Sequence, residues 1–90
     1  MLDDETLLSR SEGHLSSKVG DEAMVLSADG VYFGLEGVGG AIWDWLAEPV
    51  AFGTLVQRIV TEFQVDADTA RRDAAGFVED LIGHGLARLR

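Results

Sequence analysis

Asp29-Gly30-Val31-Tyr32-Phe33-Gly34-Leu35 decides how this chain folds. Asp-Gly is a hairpin signal, because glycine takes positive φ without steric cost. The residues after it are β-branched, aromatic or small, and suit a short apolar strand. Val31, Phe33 and Leu35 share one face of that strand; Tyr32 and Gly34 share the other. Beyond Leu35 the pattern turns helical nearly to the C-terminus, so no later strand is expected to cover this one's far side. A strand left at a sheet edge shows unpaired N–H and C=O groups, a ready template for another chain. That edge is the expected working surface, and a peptide is its expected ligand.

Upstream of the hairpin, Glu22-Ala23-Met24-Val25-Leu26-Ser27 has strand character, Gly20-Asp21 is a turn signal, and Leu15-Ser16-Ser17-Lys18-Val19 alternates weakly as a first strand. Residues 1–13 are polar and charged apart from Leu7-Leu8. They read as a flexible N-terminal tail, with the folded domain spanning 14–90.

Downstream, three helices are expected. The first runs from about Val38 to Leu46, with Ile42, Trp45 and Leu46 as its apolar stripe and Trp43 off to one side. Pro49 helps to end it. The second runs from about Phe52 to Phe63, where Phe52, Leu55, Val56, Ile59, Val60 and Phe63 follow helical spacing closely. The third starts after Asp66, a good N-cap, and carries Ala70, Ala74, Phe77, Val78, Leu81 and Ile82 on its buried stripe. Gly85 stops it, and Leu86 folds back onto the core. Strands followed by short amphipathic helices predict an α+β domain. A three-stranded antiparallel sheet comes first, and the three helices pack on one of its faces.

Composition narrows the function. Ninety residues make one domain, and an apolar fraction of 47% supports a real core. The absence of cysteine excludes disulfides, thiolate metal sites and thiol catalysis, and two histidines make a His-rich metal site improbable. Sixteen acidic against seven basic residues give a net charge of −9, which opposes binding to nucleic acid. No apolar run approaches membrane-spanning length, and the acidic start Leu2-Asp3-Asp4-Glu5 is unlike a signal peptide, so a cytoplasmic protein is expected.

Two sets of motifs resemble one family. Gly30-Val31-Tyr32-Phe33-Gly34-Leu35 followed by Gly39-x-x-Ile42-Trp43-x-x-Leu46 is similar to the PqqD-like domains. So are Leu55-Val56, Phe63-x-Val65-Asp66, Asp73-x-x-x-Phe77-x-x-x-Leu81 and Gly85-Leu86, and the likeness covers roughly residues 15–87. The resemblance implies a winged-helix-like fold of three strands and three helices, and a recognition element for ribosomally made, modified peptides. Its ligand would be the leader segment of a precursor, added as a strand to the third strand beside the third helix. A copy without a fused enzyme looks most like those of lasso-peptide pathways, which present the precursor to a leader protease and a cyclase. A similar copy serves pyrroloquinoline quinone synthesis. Two departures concern helix starts: Glu36 stands where the family often has a capping Asn, and Val50-Ala51 offer no cap to the second helix.

Strand addition takes affinity from backbone bonds and specificity from pockets for alternate side chains. The expected peptide site comprises Val31, Tyr32, Phe33, Gly34 and Leu35 from the strand, with Ala70, Ala74 and Phe77 walling it from the third helix. Arg71, Arg72 and Asp73 would sit at its rim and read charge on the leader. Core packing competes for Phe33, Leu35 and Phe77, which in so small a domain can serve both ends. The charged rim residues equally read as a solvated helix face. Trp43 reads as core or rim packing, or as a second contact surface. His14 and His84 read as structural or incidental. No Gly-rich phosphate loop, paired nucleophile or metal spacing is visible, so no enzyme and no cofactor are expected. A winged-helix DNA-binding regulator is the structural rival, but its recognition helix would carry Asp66, Asp68, Asp73, Glu79 and Asp80 against Arg71 and Arg72. A monomer or a strand-exchanged dimer is compatible with an exposed edge strand and a loose arm.

Overall fold

The computed structural model describes residues 2–20 and 22–90. The turn expected at Gly20-Asp21 falls partly on Asp21, and the expected tail partly on Met1, both outside the described residues. Among the described residues the order is β1 (Leu7–Arg10), β2 (Leu15–Val19), β3 (Glu22–Leu26), β4 (Tyr32–Leu35), α1 (Gly37–Trp45), β5 (Val50–Ala51), α2 (Phe52–Phe63), α3 (Ala67–Gly83) and β6 (Ala87–Leu89).

The three strands read around the hairpin form one antiparallel sheet, ordered β2-β3-β4. Gly30 turns the β3–β4 hairpin at φ 86° and donates its N–H to Ser27 O at 3.0 Å. The Ser27 hydroxyl lies across the loop, meeting the Asp29 carboxylate and the Val31 N–H.

A second antiparallel sheet, β5-β1-β6, corrects the reading of residues 1–13 as a loose tail. β1 is its central strand, and Leu8 is fully buried in the core. Phe52 N–H donates to Thr6 O at 2.9 Å and Gly53 N–H to Asp4 O at 3.0 Å, so carbonyls of the N-terminal arm satisfy two of the four orphan donors of α2. That answers the missing cap: α2 has no side-chain cap because another segment supplies one. The start of α1 stays uncapped by Glu36, as its residue type implies.

α1 packs on β3 and β4, while α2 and α3 pack mainly on each other, α2 also meeting β5 and α3 meeting β6. The helices therefore do not share one face of the main sheet equally, because the second sheet takes part of their apolar surface. Asp66 caps α3 by accepting from Thr69 N–H at 2.8 Å. Its C-terminus closes with Leu86 N–H on Leu81 O at 2.8 Å and Gly85 N–H on Ile82 O at 3.0 Å, with Gly85 left-handed. Leu86 is fully buried, as expected.

Trp43 is buried, which removes it as a contact surface, while Trp45 is only partly covered. The reason lies outside α1. Arg10 of β1 sits 4.3 Å from the Trp43 ring centroid, and His14 meets the same ring edge-on at 5.0 Å. The segment joining the two sheets thus roofs a side chain that the helix alone would leave exposed.

Candidate peptide-binding edge

β4 lies at an end of its sheet, and among the described residues no strand pairs with its far side. The N-terminal arm, a segment capable of sealing that side, is committed to the second sheet. Ser27 N–H donates to Val31 O at 2.9 Å, which makes Ser27 and Val31 a hydrogen-bonded pair. Antiparallel ladders alternate, so the next bonded pairs are Val25/Phe33 and Ala23/Leu35. The N–H and C=O groups of Tyr32 and Gly34 consequently turn away from β3, toward the open edge.

The two faces of β4 differ. On the inner face Leu35 is core, Phe33 is partly buried, and Val31 is 40% exposed, a gradient running outward along the strand. The His84 ring meets Phe33 edge-on at 4.7 Å, bringing the end of α3 alongside the edge. Phe77 is partly buried against α1: a Cβ on Gly39 would stand 3.1 Å from its ring. On the outer face Tyr32 is 71% exposed and Gly34 is bare.

Three expected wall and rim residues are placed elsewhere. Ala70 and Ala74 are buried in the core, so they hold α3 close to its neighbours and line no open groove. Arg71 turns to the opposite side of α3, where it pairs with Asp4 at 2.7 Å and stands 5.7 Å from the Phe52 ring centroid. There it borders an open cavity of about 600 Å³ between α2, α3 and the N-terminal arm, lined also by Gly53, Val56, Gln57 and Val60. Asp73 stays exposed and is four residues before Phe77, on the side of α3 that ends at His84. By helical spacing Asp73, Phe77, Asp80 and the C-cap His84 fall along one side of α3, the side whose end meets β4 at Phe33. His84 had no visible role in the sequence; its spacing of seven from Phe77 was the available signal.

The family model for coenzyme PQQ synthesis protein D (PqqD) matches residues 1–87. A solved structure of TbiB1 in complex with the TbiA(beta) leader peptide is similar in fold, with a TM-score of 0.80. The two chains are 34% identical, and the match covers 87% of this chain and 93% of that one. A search of curated proteins returned no match. No described helix is long and apolar enough to cross a membrane. With a family model matched over nearly its whole length and the fold of a solved relative, this chain belongs to the PqqD family.

Proposed function

We propose that this chain is a non-catalytic adaptor. It binds the leader segment of a ribosomally made precursor by strand addition to β4, and presents it to a leader protease and a cyclase in lasso-peptide biosynthesis. The observation that carries the binding reading is the open β4 edge, with Tyr32 and Gly34 offering two N–H and two C=O groups, in a chain similar to one solved with a leader peptide. The pathway rests on the sequence resemblance alone.

Four ladder bonds contribute about 1 kcal/mol net each, and ordering a flexible segment costs about 2–5 kcal/mol. The backbone alone therefore comes close to breaking even. Each buried apolar anchor adds roughly 1.5–3 kcal/mol, so about three to five anchors, those against Val31, Phe33 and Phe77 among them, are needed to reach the roughly 8 kcal/mol of micromolar binding.

Proline scanning tests the mode. Tyr32→Pro removes an outward N–H and leaves the β3–β4 ladder intact, so binding falls below that of Tyr32→Ala, which loses only the ring, while the domain stays folded. Phe33→Pro removes an inward N–H and unfolds the hairpin. Undiminished peptide binding by folded Tyr32→Pro would refute strand addition. A precursor reading frame beside protease and cyclase genes supports the lasso pathway; a radical-enzyme gene in their place favours quinone cofactor synthesis. DNA binding is disfavoured because α3 exposes Asp68, Asp73, Glu79 and Asp80.

A further inference from the structure

Gly34 has no reason to be glycine in the fold of its own chain. It lies inside β4, where glycine costs about 0.5–1 kcal/mol relative to a residue with a side chain. Its φ is not in the left-handed region. A Cβ built on it would meet Met24 Sδ at 3.7 Å and Glu22 Oε1 at 4.0 Å, both ordinary contacts. Neither backbone conformation nor internal crowding excludes a side chain. A glycine within a strand that the fold does not demand marks the close approach of another chain.

The surroundings say what approaches. Register places Gly34 opposite Met24, and Tyr32 opposite Leu26, which in turn faces Leu15 on β2. These residues form the outer face of the sheet, the face away from α1. Leu15 is 70% and Tyr32 71% exposed. A shallow hollow of about 200 Å³ opens there, lined by Leu15, Met24, Leu26 and Tyr32 among others. The same face also carries Ser17, Val19 and Glu22, so its apolar part is the cluster of Leu15, Met24, Leu26 and Tyr32. It is continuous with the β4 edge, so whatever pairs with β4 must also touch it.

We propose that the outer face is a second specificity surface for the same guest strand. The guest residue opposite Gly34 carries a large apolar side chain, aromatic or long aliphatic. That side chain lies across the bare glycine onto Met24 and against the Tyr32 ring. Residues directly opposite in neighbouring strands point to the same face. A guest bonded to the outward groups of Tyr32 and Gly34 therefore sends those partners' side chains to the outer face, and the residue between them to Phe33 and His84. Covering a strand glycine with a cross-strand aromatic ring is a known stabilising device. The inference rests on strand addition to β4 and adds that the leader is read on both faces, not on the α3 side alone.

The test uses the full chain and a displayed library of random peptides, selected for binding that Tyr32→Pro abolishes. Selected peptides should carry a large apolar residue at one alternate position. Gly34→Val puts a side chain in the notch while suiting a strand. It should weaken those peptides about tenfold or more, the equivalent of one buried apolar side chain. The same variant should barely change peptides whose large residue is replaced by Ala, because both changes remove one contact. Thermal melting of Gly34→Val checks that it remains folded, and Gly34→Ala should give an intermediate loss. Equal affinities of wild type and folded Gly34→Val for every selected peptide would overturn the outer-face surface and leave strand addition standing. A library that yields no Tyr32→Pro-sensitive binder would overturn strand addition itself. Concentration-dependent dimerisation abolished by Leu15→Lys, without peptide coupling at Gly34, would assign the face to a second copy and also overturn the proposal.

Discussion

Gly53 donates its backbone N–H to Asp4 O at 3.0 Å, and the place where its Cβ would stand is 2.9 Å from the Asp4 side chain. The first turn of α2 and the N-terminal arm are thus pressed together at a point where only hydrogen fits. This contact helps to hold the arm in the second sheet, where it does not pair with β4.

Gly53→Ala is expected to destabilise the domain. Alanine gains about 1 kcal/mol of helix propensity, while the overlap with Asp4 costs roughly 1–3 kcal/mol. The net loss should concentrate in the arm. Hydrogen exchange should quicken at Leu7 and Leu8 more than at α3, and denaturant midpoints should fall modestly.

Arg10 donates from Nε at 2.9 Å and Nη2 at 2.7 Å to the Trp43 carbonyl, and its guanidinium covers the Trp43 ring. Burial lowers its pKa, an effect that nearby Asp44 partly offsets. Arg10→Ala leaves a carbonyl unpaired and the ring uncovered, a loss of about 1–3 kcal/mol. Denaturant melts measure that loss, and acrylamide quenching should rise because Trp43 becomes accessible.

The Asp66 carboxylate is held below the ordinary range by Thr69, first through its N–H and then through its hydroxyl. Asp3 is lowered likewise by the Thr6 hydroxyl and the Glu5 N–H. A carboxylate depressed by folding stabilises above its unfolded pKa and loses that contribution as pH falls through the folded value. Stability should therefore decline below about pH 4. Asp66→Asn should flatten part of that decline in pH-resolved thermal melts, and Asp66→Ala should lower the neutral-pH midpoint.

Because Arg71 pairs with Asp4, the α3 side beside β4 carries Asp73 and Asp80 as its carboxylates. Arg71→Ala is expected to leave peptide affinity within about twofold, since an exposed ion pair on another face is worth little. Asp73→Lys should weaken peptides with basic residues severalfold at low salt, an effect that fades as salt screens the charges. Calorimetric titrations at two salt concentrations read both outcomes.

Much of the fold was legible because it is locally encoded. Asp29-Gly30 fixes a turn, the Phe52–Phe63 spacing fixes a helix with those bounds, and Asp66 and Gly85 mark the ends of α3 through backbone bonds a few residues away. β4 itself was legible for the same reason.

Placement across the chain was not. β5 has two residues and β6 three, too short to show a period, so nothing marked Leu7–Arg10 as their shared partner. Trp43 and Trp45 lie two positions apart on one helix, and local spacing could not tell which one Arg10 would cover. Ala70, Ala74 and Arg71 look equivalent as wall residues until packing sends the alanines inward and the arginine to Asp4. The hairpin and the helices are legible along the chain alone, since turns, caps and periodicity act over a few residues. Which edges and faces stay open is set by packing across the chain, because burial depends on what distant segments bring to cover them.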